Sequence, residues 1–323
     1  MQDIVIGVDL GGTNIKAGAV SPKGKVLYRT RLSTSAGGGP EAVADEVSEA
    51  VRQCRAGVAE GAGRVVGAGI GSPGAMDAEG ELVRFAPNLE GFTDVPLREL
   101  VEERIGMPCT LDNDANAAAL GEQWVGAGAG ASSLVMLTLG TGIGGGIVLG
   151  GRVWRGFAGA AGEIGHMSIH PEGPPCGCGN RGCIEAFASA TAMVRRMKEA
   201  IEAGRPTRLT EKARELTARD IYEAACEGDE AAVENVTMTG RYLGLAIANI
   251  MHILNPEVIV MSGGVTAAGE MLIRPIRDEV RRRAMEASRE NVRILFASLG
   301  EDAGLIGAAR SFMLRQAARW ASA

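Results

Sequence analysis

The chain has no excess of basic residues: 33 Lys and Arg stand against 39 Asp and Glu, a net charge of −6. That balance excludes the broad electrostatic footprint of a nucleic-acid binder, which needs clustered cations to displace counterions. The one basic run, Arg281–Arg283, falls in an acid-flanked helical pattern and reads as a solvated face. Nor is there an apolar run of about 18 residues, the length a membrane-spanning helix requires. The longest candidate, Tyr242–Leu254, is broken by Asn249 and His252 and stops at Asn255-Pro256. No basic segment or small-residue cleavage site precedes the first strand-like run, so no secretory leader is expected and the cytoplasm is the expected location. Six cysteines without a leader fit a reducing compartment, where paired spacing points to metal or catalysis rather than disulfides.

The standard phosphate-binding signatures are missing too. No G-x-x-x-x-G-K-[ST] occurs. Gly69-Gly71-Gly74 and Gly140-Gly142-Gly145 match G-x-G-x-x-G, but a dinucleotide fold needs that motif to open a helix. Pro73 and a turn-rich stretch follow the first, and the strand-like Ile147-Val148-Leu149 follows the second, so both fail on context.

What is abundant is glycine, 47 residues, much of it clustered between apolar runs. A chain of 323 residues is expected to form two domains and to bury a sizeable core without disulfides. Ile4–Leu10, Lys16–Val20 and Val26–Leu32 read as three strands joined by tight turns. A helical pattern follows from Glu41 to Ala59, then a strand at Val65–Ile70, a short strand at Thr110–Leu111 and an Ala-rich helix at Ala115–Val125. The theme of strand, glycine turn with Thr, and strand then recurs at Leu134–Leu139, Gly140–Gly146 and Ile147–Leu149. Helical patterns cover Ile184–Ala203, Ala231–Leu254, Leu272–Ala287 and a closing segment from Gly304, with strands at Glu257–Met261 and Val292–Phe296. Gly204–Arg219 reads as a surface excursion.

Each strand–glycine–strand hairpin can turn its backbone N–H groups into an anion-binding concavity. In Asp9-Leu10-Gly11-Gly12-Thr13-Asn14 the glycines admit a phosphate, Thr13 offers a hydroxyl and Asp9 can hold a metal-bound water. An ordinary hairpin with a capping Asp fits those residues equally well.

Several segments together are similar to the ROK family of the actin/hexokinase-like superfamily. Asp9–Lys16 (DLGGTNIK) and Leu139–Val148 (LGTGIGGGIV) resemble its two phosphate loops, and Asn113–Glu122 (NDANAAALGE) its catalytic segment. Glu163–His166 (EIGH) with Cys176–Glu185 (CGCGNRGCIE) resembles its zinc and sugar signature. Gly263-Gly264-Val265 and Asp302–Ala309 (DAGLIGAA) resemble its adenosine-side turns. The pattern is nearest to the family's bacterial glucokinases. Family repressors carry an N-terminal helix-turn-helix, whereas here only three residues precede the first strand, so a regulator is not the expected reading.

The resemblance implies an α/β fold of two ribonuclease-H-like lobes flanking a central cleft. The first lobe is expected to span residues 1–114, completed by a closing helix over 305–323, and the second residues 115–304. It implies phosphorylation of glucose at its 6-hydroxyl by ATP with Mg²⁺. Kinases for mannose, fructose, N-acetylmannosamine or N-acetylglucosamine, and a non-catalytic sugar sensor, are the alternatives. Phosphate contacts fall to Asp9, Gly11, Gly12, Thr13, Lys16, Gly140, Thr141 and Gly142, with Gly263 and Gly264 on the adenosine side. Asp114 is the implied base. Its plainer reading is a helix N-cap, which Asp supplies well. Asn88, Asn113, Glu163, His166 and Glu185 are the implied sugar contacts.

His166, Cys176, Cys178 and Cys183 form H-x9-C-x-C-x4-C, a set suited to a closed tetrahedral Zn²⁺ site. Four protein ligands leave no position for water, so such an ion is structural and would staple Glu163 and Glu185 into one wall. Cys54, Cys109 and Cys226 are isolated and read as small core residues. The expected partners are a hexose and further copies of the chain, as dimer or tetramer, with no nucleic acid and no membrane.

Overall fold

The computed structural model describes residues 2–321, with side chains through residue 317. The chain divides into two compact units. Unit 1 is Met1–Met136, Gly146–Gly162 and Ala297–Ala323; unit 2 is Leu137–Gly145 and Glu163–Phe296. Residues 1, 322 and 323, which the expected first lobe included, lie outside the described residues.

Unit 1 opens with an antiparallel meander of β1 (Asp3–Leu10), β2 (Asn14–Val20) and β3 (Val26–Ser33). After α1 (Gly39–Ala56), β4 (Arg64–Ser72) returns parallel to β1. β5 (Ala75–Met76), β6 (Val83–Phe85) and β7 (Thr93–Val95) form a small antiparallel sheet that the sequence reading missed, as it missed α2 (Leu97–Ile105). β8 (Cys109–Asn113) pairs parallel with β4 and runs straight into α3 (Asp114–Val125). The main sheet therefore has the order β3-β2-β1-β4-β8.

The chain leaves unit 1 within β9 (Leu134–Leu139) and returns within β10 (Ile143–Leu149), followed by β11 (Arg152–Val153). β10 starts inside the glycine cluster, earlier than Ile147. At Gly146 an added Cβ would lie 2.7 Å from the Ala115 carbonyl, so bare backbone there lies close to α3. Unit 2 continues with α4 (Glu185–Ala188), α5 (Ala190–Glu202), α6 (Ala218–Cys226), α7 (Glu230–Leu254) and β12 (Val258–Ser262). α8 (Glu270–Arg283), α9 (Glu286–Arg289) and β13 (Arg293–Phe296) complete it, and α10 (Ala303–Ala321) closes the chain. Two helical patterns prove to be split. Ser189 ends α4 and caps α5 by accepting from the Ala192 N–H (3.1 Å), and Ala284 turns extended after α8. The second five-stranded sheet has the order β11-β10-β9-β12-β13, the same topological sequence as the first.

β1 is buried almost throughout, as a central strand covered on both faces must be. Val43, Val47 and Val51 of α1 and Leu97 and Val101 of α2 join Ile6, Val8, Ile70 and Leu111 in one core cluster. Leu305, Ile306, Ala309 and Phe312 of α10 join Val5 and Val20 in another. α10 lies directly on sheet backbone because β1 and β4 carry glycines beneath it. A Cβ at Gly7 would sit 1.7 Å from Leu305 O, and at Gly69 1.9 Å from Ala308 O. The same device seats α3 on α10, where a Cβ at Gly307 would sit 1.6 Å from Ala117 O. This packing puts α3 in unit 1, so the division does not fall at the expected 114/115 boundary.

Candidate active site and metal-ligand cluster

In unit 1 the β1–β2 turn is a backbone device. Gly11 N–H donates to Asn14 O (2.9 Å), Thr34 N–H to Thr13 O (2.9 Å) and Thr34 Oγ1 to Gly11 O (2.7 Å). Asp9 pairs in register with Lys16, whose Nζ lies 3.4 Å from Glu301. Burial pushes the Asp9 carboxyl above its ordinary range; Lys16 opposes this and Glu301 adds to it. Gly304 in the first turn of α10 makes room for this carboxylate, since a Cβ there would lie 2.6 Å from Asp9 Cγ. Asn88 flanks the turn: a Cβ at Gly12 would be 3.5 Å from Asn88 Cβ. Asp302–Ala309, expected as an adenosine-side turn, is instead the end of a 3-10 turn and the start of α10. Of its two glycines, Gly307 serves close packing of that helix on α3.

At the β8–α3 junction three polar residues have separate jobs. Asp112 is 2% exposed and bound by Arg155, with Nε at 3.2 Å from Oδ1 and Nη2 on Oδ2; Ser311 Oγ donates to Oδ2 at 2.9 Å. Asn113 is the N-cap of α3. Its Oδ1 accepts from the Ala115 and Asn116 N–H groups at 3.0 and 3.1 Å, and its Nδ2 donates to Gly74 O at 3.0 Å. The cap expected of Asp114 is thus supplied by Asn113, and most of the Asn113 amide is committed within the protein. Asp114 itself is the first helical residue and accepts from the Ala115 N–H at 2.7 Å. Burial raises its pKa to about 6, the nearby Asp9 pushes the same way, and hydrogen bonds from Ala115 and Asn113 oppose the rise. Among the described residues Asp114 has no ion pair of the kind Arg155 makes to Asp112.

In unit 2 the Glu163–His166 segment forms a 3-10 turn, and the cysteine segment folds back on it through bridges Ser168↔Cys183 and Pro175↔Arg181. His166, Cys176, Cys178 and Cys183 offer ligand atoms that all lie within 4.8 Å of one another. His166 Nδ1 is 3.6 Å from Cys176 Sγ, and Cys178 Sγ is 3.8 Å from Cys183 Sγ. Zn–S and Zn–N bonds of about 2.3 and 2.0 Å give tetrahedral edges of about 3.8 Å (S–S) and about 3.5 Å (S–N). The His166–Cys176 and Cys178–Cys183 spacings match those edges. The other imidazole nitrogen, Nε2, is 3.9 Å from Glu163 Oε2, so the ring bridges the cluster and an exposed carboxylate.

Glu185 opens α4 two residues after Cys183. Its Oε2 accepts from the Ile143 N–H at 2.9 Å, and its Oε1 lies 3.5 Å from Cys176 Sγ. The β9–β10 turn at Gly140–Gly142 is held further by Ala190 N–H on Gly140 O (2.9 Å) and Thr191 Oγ1 on Thr141 O (2.8 Å). Gly263 follows β12 at φ 94°, where a Cβ would lie 2.3 Å from Leu139 O, so this turn too rests on the hairpin; Gly264 faces open space.

Unit 1 thus groups Asp9, Gly11–Thr13, Lys16, Asn88, Asn113 and Asp114. Unit 2 groups Gly140–Gly142, Glu163, His166, Glu185, the three cysteines and Gly263–Gly264. Sequence reading assigned no role to Glu122, Arg155 or Glu301. Glu122 is fully buried and accepts from Ala127 N–H (2.7 Å), Ser298 N–H (3.0 Å) and Leu299 N–H (2.8 Å), tying α3 to the segment before α10. Its one signal is an acid in the interior of an alanine-rich helix.

Residues 5–314 match the ROK family. A glucokinase of Thermotoga maritima is 40% identical over 308 residues, 94% of this chain and 96% of the relative. A glucokinase of Halalkalibacterium halodurans is 39% identical over 306 residues, 94% and 92% of the two chains. The crystal structure of a ROK family glucokinase from Streptomyces griseus in complex with glucose and AMPPNP superposes with a TM-score of 0.78 at 38% identity, covering 95% of this chain and 98% of that one.

Proposed function

This chain belongs to the ROK family, and from that premise we propose that it transfers the γ-phosphoryl group of ATP to the 6-hydroxyl of glucose. The observation that carries the reading is Asp114: an unpaired carboxylate at a helix start, with its pKa raised to about 6. A base of that pKa is mostly ionised at neutral pH yet takes a proton readily, which suits a hydroxyl nucleophile. The neighbouring Asp112 is already neutralised by Arg155, and Asn113 is occupied as a cap.

Phosphoryl transfer asks for positioning and charge stabilisation more than for covalent help from the protein. The Gly11–Thr13 and Gly140–Gly142 turns present backbone to phosphate oxygens, and Lys16 adds a cation. Asp9 would hold the hydration shell of a nucleotide-bound Mg²⁺, which would supply charge neutralisation at the phosphates. Glu163, His166 and Glu185 anchor sugar hydroxyls, with Asn88 and Asn113 as further contacts. His166, Cys176, Cys178 and Cys183 would hold a structural Zn²⁺, which would fix the His166 ring and the start of α4. ATP as donor and thiols kept for a metal go with the reducing cytoplasm.

The test is ADP release with glucose, mannose, fructose, N-acetylmannosamine and N-acetylglucosamine as acceptors. The highest kcat/KM is expected with glucose. A higher value with another hexose would move the substrate, and no ADP release with any of them would overturn the reading.

A further inference from the structure

Glu185 does more than face a sugar. Its Oε2 is the acceptor for the Ile143 N–H at 2.9 Å, at the point where the Gly140–Gly142 turn enters β10. Gly142 is shaped to this carboxylate, because a Cβ there would come within 2.4 Å of Oε2 and meets nothing else within 3 Å. The residues after Glu185 grip the rest of the turn through Ala190 and Thr191. At its other oxygen the carboxylate stands 3.5 Å from Cys176 Sγ. One side chain therefore spans from the cysteine cluster to the nucleotide turn inside unit 2.

We propose that Glu185 is a positioning residue for the phosphate-binding turn, so that nucleotide affinity depends on it even when no sugar is present. The inference rests on the kinase reading and deepens it. Losing a part-buried acceptor frees the Ile143 N–H and lets the turn relax away from the geometry that meets phosphate. A contact made only to sugar would leave nucleotide binding alone.

The experiment measures AMPPNP affinity with Mg²⁺ and without sugar, on the metal-replete protein. Glu185→Ala is expected to weaken AMPPNP by roughly tenfold, the usual scale for one hydrogen bond to a charged group. Glu185→Gln, whose amide oxygen can still accept from Ile143, keeps near wild-type AMPPNP affinity while losing glucose affinity. From the opposite side, Gly142→Ala displaces the carboxylate and also weakens AMPPNP. In the double variant Gly142→Ala/Glu185→Ala the clash is gone, so the added methyl costs little more. Unchanged AMPPNP binding by Glu185→Ala, or an equal loss in Glu185→Gln, would overturn the proposal, as would a Gly142→Ala penalty independent of Glu185. Failure of the wild-type protein to bind AMPPNP would sink the kinase reading and this inference together.

Discussion

The two glycine hairpins share a sequence theme and a place in matching sheets, yet they are built differently. The β1–β2 turn is closed by backbone and one threonine hydroxyl, and the carboxylates near it, Asp9 and Asp114, are half-buried and pushed up in pKa. The β9–β10 turn is closed by a carboxylate, Glu185, and by the helix that follows a cysteine cluster. Unit 1 stores its charge where a proton can be taken up. Unit 2 uses the Glu185 carboxylate to hold shape. Under the proposed function, the contrast puts chemistry in the first and selectivity in the second.

The strongest way to break that contrast is to remove the scaffold of unit 2. Cys178→Ala, or exhaustive chelation, is expected to abolish turnover and to lower thermal stability, because a structural metal contributes folding free energy directly. Metal analysis and a melting curve on the same sample check it. A folded, zinc-free and fully active protein would show that the cluster shapes nothing.

Removing the chemistry from unit 1 should look different. Asp114→Ala is expected to lower kcat by about 10²–10⁴, the span of a general base, with a smaller change in glucose affinity. Steady-state kinetics beside equilibrium glucose binding separates the two effects. A loss confined to binding would move Asp114 to the recognition side. In the wild type the base must be ionised, so kcat/KM should fall as pH drops through about 6. A profile flat down to pH 5 would contradict the assignment.

Much of this was legible in the sequence, for definite reasons. β1, β2 and β9 are apolar runs punctuated by glycine, and α3 begins where Asp112-Asn113-Asp114 meets an alanine run. The cysteine cluster is local, so its spacing alone nearly fixes its geometry. What stayed hidden is non-local or too short to have a period. β5 and β6 offer two and three residues each. The Arg155–Asp112 pair joins residues 43 apart, and Glu185 reaches Ile143 across 42. The seating of α3 on α10 depends on glycines whose purpose shows only when the facing backbone is in view. Nor could an acid at a helix start be told from its cap: Asp114 and Asn113 compete for that role on sequence, and only the hydrogen bonds divide it.

The smallest effect sharpens the comparison most, because it concerns stability alone. In the folded protein Asp114 has a pKa near 6, above its ordinary 3.8, so the folded state holds this proton more tightly than the unfolded chain does. The stabilisation from that proton is fully present below about pH 4 and is lost as pH rises through 6. At pH 8 the half-buried carboxylate is then a net cost. Asp114→Asn, neutral at every pH, should raise the free energy of unfolding there by up to about 3 kcal/mol, because a tenfold change in proton affinity is worth about 1.4 kcal/mol. The gain should fade toward zero at pH 4. Urea unfolding of the variant and the wild type at pH 4, 6 and 8 measures the difference. A gain of equal size at all three values would mean that Asp114 carries no stored desolvation.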